Sequence, residues 1–261
     1  MQIKKSQRAV KEMKYIAIIP SRYSSTRFPG KPLADIDGKP MIRHVYERVR
    51  EVYPECCVAT DDDRIKNVVE GFGGEAIMTS SEHRSGTDRC REALERYEQL
   101  KGERFDVVVN VQGDEPFIRA EHLEAVKAGF LSQEAEIVTL AHRIVEGATV
   151  TDPNSPKVVL TRAGYAMYFS RSPIPYIRGH KPEEWTAAHD FLKHIGIYGY
   201  RSDVLRTITE LEPGELEKAE SLEQLRWLEN GFRIRVVTVS EGTIGVDTPE
   251  DLIRIQKMLK H

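Results

Sequence analysis

The sequence has 261 residues, 40% of them hydrophobic and 30% charged, with a formal net charge of −3 at pH 7. That length allows one large or two small domains with a sizeable core, and the near-neutral balance argues against a nucleic-acid binder, which concentrates basic charge on one face. Cys56, Cys57 and Cys90 form no CxxC and cannot all pair, which fits a reducing cytoplasm. No apolar run approaches the roughly 18 residues that insertion into a bilayer demands. Residues 1–14 (MQIKKSQRAVKEMK) are basic but lack the apolar core of a secretory signal, and they read as a flexible N-terminal extension.

The first strong element is Ile16 to Ile19, a β-branched run suited to a buried strand that Pro20 is expected to end. The loop that follows, PSRYSSTRFPGKP, carries Arg22, Arg27 and Lys31 among hydroxyls and Gly30. It is not a Walker A motif, because position 25 is Ser where Gly is needed and Pro32 replaces the Ser or Thr after Lys31. Cations beyond the first strand of an α/β sheet suit a polyphosphate, since ligands sit outside the carboxyl ends of such strands. An ordinary basic surface loop is the alternative.

Met41, Ile42, Val45 and Val49 then share one helical face. Cys56 to Thr60 reads as a strand, and the triplet Asp61-Asp62-Asp63 as the cap of a helix through Val68, Val69 and Phe72, with metal binding as the other reading. Gly71, Gly73 and Gly74 end that helix before a short strand at Glu75 to Met78. A helix is predicted over Arg89 to Leu100 and a buried strand over Asp106 to Gln112. Strands alternating with helices of this length predict a parallel α/β sheet. Beyond Ile137 the texture changes: Ile137–Arg143, Lys157–Thr161 and Tyr165–Ser170 read as strands that extend the sheet and build an acceptor side, with a turn over residues 152–156. Residues 178–188, polar with Gly179 and Pro182, read as a mobile excursion or an oligomer contact. The expectation is a single domain over residues 15–261, with a nucleotide-binding half near 15–135 and an acceptor half near 136–261.

Several residues in this frame could carry chemistry. Asp114 follows Gly113 at the carboxyl end of the 106–112 strand, on the same rim as the basic loop; a Gly-Asp-Glu-Pro turn is the bland account. In GVDTPEDL, Thr248, Pro249 and Asp251 make a capping box and N1 proline, which leaves Asp247 without a structural duty. Two carboxylates at a phosphate rim suit Mg²⁺, which takes one or two of them plus phosphate oxygens and waters. In SEHRSGTDR, Ser85 and Gly86 could read a pyrimidine edge, with Thr87 or Asp88 as a helix cap otherwise. Arg171 suits a carboxylate because a guanidinium binds one bidentately. Strand alternation in HIGIYGYR puts His194, Gly196, Tyr198 and Tyr200 on one face and Ile195 and Ile197 on the other. Ser221 and Gln224 could form a capping box or a solvated helix face.

These motifs together resemble the nucleotide-sugar cytidylyltransferases, in particular those that act on 3-deoxy-manno-octulosonate (KDO), from about Tyr15 to the C-terminus. The resemblance implies a nucleotide-diphospho-sugar transferase-like α/β fold, a mixed and mainly parallel sheet flanked by helices, with a smaller embedded acceptor and dimerisation lobe. It places Arg22, Arg27 and Lys31 on the CTP triphosphate, Ser85 and Gly86 on cytosine, and Mg²⁺ on Asp114 and Asp247. Arg171, His194, Tyr198, Glu223 and Gln224 fall at sugar-acid positions. Arg84 departs from the family's His-Gln-Ser-Gly-Thr pattern, since it offers donors only where Gln offers both donor and acceptor. The implied activity is transfer of CMP from CTP to KDO, for lipopolysaccharide biosynthesis, by a cytoplasmic homodimer. The alternatives are a cytidylyltransferase for 8-amino-KDO or sialic acid, and a non-catalytic nucleotide-sugar-binding protein.

Overall fold

The computed structural model describes residues 13–24, 28–246 and 248–258. Arg27 and Asp247, like residues 1–12 of the expected extension, lie outside the described residues. Met13 and Lys14 are described, and the Lys14 amide donates to the Asp106 carboxylate at 2.9 Å.

The first half is an α/β alternation. Strand β1 (Tyr15–Ser21) leads through the two-residue strands β2 (Asp35–Ile36) and β3 (Lys39–Pro40) to helix α1 (Met41–Val52). Then come β4 (Cys56–Thr60), α2 (Asp63–Gly71), β5 (Ala76–Met78), α3 (Gly86–Lys101), β6 (Val107–Asn110) and α4 (Ala120–Gly129). The second half supplies β7 (Ile137–Arg143), α5 (Gly147–Thr151), β8 (Lys157–Leu160), β9 (Ala166–Ser170), α6 (Trp185–Ala188) and β10 (Leu192–Arg201). It closes with α7 (Ser202–Ile208), α8 (Glu215–Glu220), α9 (Gln224–Glu229), β11 (Ile234–Val239) and α10 (Pro249–Met258).

Both halves build one mixed sheet in the order β11-β7-β10-β6-β1-β4-β5. The pairs β1 with β4, β1 with β6, and β4 with β5 are parallel, whereas β10 runs antiparallel to β6, β7 and β8. The unbroken apolar run of β1 is explained by burial on both faces. Ile16 and Ile18 pack under α3, and Ala17 and Ile19 under α1. Strand β1 continues through Pro20 to Ser21, two residues past the expected end. Beyond Ile18 it still pairs with β4 but no longer with β6, so a residue without an N–H is tolerated there. Helix α3 starts at Gly86, three residues before the expected Arg89, because Ser85 and Asp88 form its capping box. The expected cap at Thr87 or Asp88 is thereby corrected to Ser85.

The 178–188 segment is anchored rather than a free excursion: Trp185 is buried with Ile144, Val150 and Phe191 in a small core of its own. In β10 the pairing with β7 jumps from Ile195–Leu140 to Tyr198–Thr139. The bulge holds two residues, so the alternation survives it. Tyr198 and Tyr200 join the core under α3, and Ile195 and Ile197 the opposite one. Among the described residues no helix is long and apolar enough to cross a membrane.

Candidate active site

A cleft of about 430 Å³ opens where β1 and β6 end, lined by Ser21, Arg22, Lys31, Arg84, Gly86, Gln112 and Asp114 among others. Its walls are the loop after β1, the first turn of α3 and the segment after β6. Gly113 is fixed by crowding, since a Cβ there would collide with the Ser21 hydroxyl and come within 3.2 Å of the Pro20 carbonyl. Asp114 is therefore held directly across from the basic loop. Its carboxylate accepts from Lys31 Nζ at 2.6 Å, with about a third of the Asp114 side chain exposed to the cleft and Lys31 mostly buried.

The segment leading to Asp247 reaches the same place. The Val246 amide donates to the Asp114 carbonyl at 2.9 Å, from irregular chain. The expected capping box is present: Thr248 Oγ1 accepts from the Asp251 amide at 3.2 Å, and an Asp251 carboxylate oxygen accepts from the Thr248 amide at 3.0 Å. Among the described residues no group of three or more His, Cys, Asp or Glu converges on a metal site. The partly exposed Asp114 carboxylate beside Lys31 is a hard oxygen donor of the kind that suits a magnesium ion shared with phosphate oxygens.

Beneath the cleft lies an ion network that sequence reading missed. Arg89 is fully buried, donating from Nη1 to Thr79 Oγ1 at 2.6 Å and from Nη2 to Asp61 at 3.2 Å. The acidic triplet is accordingly divided. Asp61 balances Arg89, while Asp62 caps α2 by accepting from the Arg64 amide at 2.9 Å. Burial lowers the Arg22 pKa, and the like charge of Arg89 pushes the same way. Asp61 and Asp88 oppose both. Ser21 Oγ is buried at the cleft floor without a hydrogen-bond partner among the described residues. Only the position of Ser21, next to the basic loop, could have flagged it.

Ser85 and Gly86 stand where expected, at the α3 end of the cleft. The Ser85 hydroxyl is engaged as the cap, accepting from the Asp88 amide at 3.1 Å. What remains for a base edge is the backbone of the first helical turn, whose N–H groups lack intrahelical partners. A side chain at Gly86 would sit 3.3 Å from Pro20 Cγ and 3.4 Å from Gln112 Nε2, so glycine keeps that backbone approachable.

The residues expected on the acceptor side are joined to this turn rather than to the open cleft. Thr87 Oγ1 donates to Glu223 Oε2 at 2.7 Å, and Arg226 Nη2 donates to Glu223 Oε1 at 3.0 Å. Burial raises the Glu223 pKa, and bonds from Thr87 and Ser85 hold it back. Tyr198 and Tyr200 stack at 5.8 Å over Trp227, their hydroxyls buried beside Thr139 and Thr87 without closing a hydrogen bond of normal geometry. His194 contacts Thr139 Oγ1 at 2.9 Å and Phe169 edge-on, and burial lowers its pKa to about 3, so its imidazole is neutral. Gln224 is buried with Nε2 unpartnered, and Ser221 sits in the left-handed region at φ 50° as the end of α8. The capping box or solvated face expected for Ser221 and Gln224 is therefore absent.

Arg171 is more committed than its residue type suggests. Nε donates to the Glu220 carbonyl at 2.6 Å, Nη1 to the Pro153 carbonyl at 2.8 Å and Nη2 to the Ser221 carbonyl at 3.2 Å. Three of the five N–H groups of a guanidinium thus brace the turn after α5 and the end of α8. Two are left for a ligand.

The family model described as Cytidylyltransferase matches residues 16–235. The chain belongs to the cytidylyltransferase family. Within it, a 3-deoxy-manno-octulosonate cytidylyltransferase from Parabacteroides distasonis is 56% identical over 244 residues, covering 92% of this chain and 96% of that protein. The protein of the same name from Porphyromonas gingivalis is 54% identical, covering 91% and 93%. A solved CMP:2-keto-3-deoxy-manno-octonic acid synthetase complexed with CTP is 44% identical and superposes with a TM-score of 0.86, covering 95% of this chain and 98% of that one. A Leptospira borgpetersenii cytidylyltransferase at 15% identity and a TM-score of 0.59, over 95% and 94% of the two chains, shares the fold alone.

Proposed function

We propose that this cytidylyltransferase transfers CMP from CTP to KDO and releases pyrophosphate, activating KDO for lipopolysaccharide assembly. The observation that carries the reading is the Lys31–Asp114 pair at 2.6 Å across the cleft, which sets a cation for phosphate and a hard carboxylate side by side. Near full-length identity to KDO cytidylyltransferases supports the choice of acceptor.

Phosphoryl transfer rests on positioning and charge neutralisation more than on covalent chemistry. Arg22 and Lys31, with Arg27 from the same loop, take the β- and γ-phosphates and stabilise the leaving pyrophosphate. The backbone of Gly86, in the turn capped by Ser85, holds cytosine. Glu223, Gln224, His194 and Tyr198 form the sugar-acid floor, and the two remaining N–H groups of Arg171 face its carboxylate. The acceptor hydroxyl then attacks the α-phosphorus in line; the new P–O bond forms as the bond to the β-phosphate oxygen breaks. Asp114 together with Asp247 would hold a magnesium ion, which when bound neutralises phosphate charge.

A cytoplasmic homodimer completes the proposal. It is supported by three buried, unpaired cysteines whose thiol pKa values burial pushes up, and by exposed apolar side chains at Val145, Met167 and Tyr176. The test is pyrophosphate release with CTP, Mg²⁺ and one sugar acid at a time. KDO is expected to give the highest kcat/KM. Preference for sialic acid or 8-amino-KDO would move the assignment within the family, and no release with any acceptor would remove it.

A further inference from the structure

We propose that Arg64 is a positioning residue for the nucleotide, latching the neck of the phosphate loop to the start of α2 by stacking on Tyr23. This rests on the reading that Arg22 and Lys31 take the CTP phosphates. The neck is closed by the Gly30 amide, which donates to the Tyr23 carbonyl at 2.9 Å. Gly30 adopts φ +72°, and a Cβ there would stand 3.2 Å from the Tyr23 ring, so the ring occupies the space a side chain would need. Lys31 follows directly, and its ammonium reaches Asp114.

The other end of the latch is rigid. The Arg64 guanidinium carbon lies 3.2 Å from the Tyr23 ring centroid. Its edge is held by Asp62, with Nε to Oδ1 at 2.9 Å and Nη2 to Oδ2 at 2.6 Å. Asp62 also caps α2, whose Ile65 and Val69 are fully buried. A continuous path therefore runs from the core through α2, Asp62, Arg64 and Tyr23 to Gly30 and Lys31. Arg64 is well over half exposed, so it adds little to the core. A surface ion pair alone would contribute little; a guanidinium fixed by a bidentate carboxylate and laid on an aromatic face restricts what it covers.

The experiment is steady-state kinetics with CTP varied and KDO saturating, then the reverse, for Arg64→Ala, Arg64→Lys, Tyr23→Leu and the Arg64→Ala/Tyr23→Leu double variant. Lys31→Ala serves as the reference. Arg64→Ala and Tyr23→Leu are each expected to raise the CTP KM by about three- to thirtyfold, leaving the KDO KM unchanged. The double variant is expected to be no worse than the worse single one, because both remove the same contact. Arg64→Lys should recover part of the loss, since an ammonium can stack but cannot hold the Asp62 fork. An unchanged CTP KM in Arg64→Ala, or fully additive losses in the double variant, would overturn the latch. If Lys31→Ala raises the CTP KM while Arg64→Ala does not, the latch falls and the phosphate reading stands. If neither does, both fall.

Discussion

On the nucleotide side the charged groups Arg22, Lys31, Arg84 and Asp114 line one cleft, where Asp114 stays about a third exposed beside its partner Lys31. On the acceptor side the polar groups face each other or the backbone. His194 packs edge-on against Phe169 and Tyr198 against Trp227, Arg171 is fastened to three carbonyls, and Glu223 is tied to Thr87 and Arg226. The difference matches the ligands of the proposed function. A polyphosphate carries several charges and is captured by cations already gathered at a cleft. A polyhydroxy acid presents mostly neutral groups, and a floor for it must exchange one set of hydrogen bonds for another. The Thr87–Glu223 bond joins the two sides, because Thr87 belongs to the first turn of α3 at the cleft. On the proposed function, filling the nucleotide cleft is expected to set the geometry of the acceptor floor through this bond.

The sharpest break in this comparison is Asp114→Asn, which keeps the shape of the rim and removes its charge. Turnover is expected to fall by about 10²–10³ with the fold retained, as read by pyrophosphate release and circular dichroism. Near-normal turnover at limiting Mg²⁺ would deny Asp114 its role. Next comes Lys31→Ala, expected to cost about tenfold to a hundredfold in kcat/KM for CTP, the value of a charge-assisted hydrogen bond. Binding of KDO to the variant loaded with CMP should be preserved in calorimetry; equal losses for both ligands would mean that the loop shapes both sides.

The smallest effect tests whether the acceptor floor is sealed. His194 has a folded pKa of about 3 against an ordinary 6.5, so below pH 6.5 the unfolded state binds the extra proton and the folded state does not. Stability is therefore fully present above pH 6.5 and falls as pH drops toward 3, by up to about 1.4 kcal/mol per pH unit. In urea unfolding at pH 7 and about pH 5.5, His194→Gln should lose this part of the pH dependence. An identical dependence in both proteins would show that the imidazole titrates normally and that the floor is open to water.

Much of the nucleotide side was legible in the sequence because its signals are local. The β-branched run of β1, the basic loop beyond it, and Gly113 next to Asp114 announce themselves within a few residues. The Thr248–Asp251 capping box was equally local, and it formed. The start of α3 was misread because Ser85, Thr87 and Asp88 are all competent caps and only the backbone path chooses among them. Arg89 and Asp61 were invisible as a pair, since nothing near either residue names its partner; a fully buried arginine becomes meaningful only once the sheet brings Asp61 and Thr79 to it. Arg171 illustrates the same limit. Its partners are main-chain carbonyls at Pro153, Glu220 and Ser221, and a carbonyl acceptor leaves no mark in the sequence. Alternation in β10 held through a bulge, because a two-residue insertion restores the parity that a single one would have reversed.

The claim that the nucleotide rim stands ready while the acceptor floor waits on it is tested most directly by calorimetry on the wild-type protein. CTP with Mg²⁺ and KDO are each titrated into the free protein, and KDO again into protein saturated with CMP. The account predicts that CTP binds the free protein, and that KDO binds at least about tenfold more tightly once the nucleotide is in place, a coupling of ordinary size between linked sites. Equal KDO affinity with and without nucleotide would contradict it.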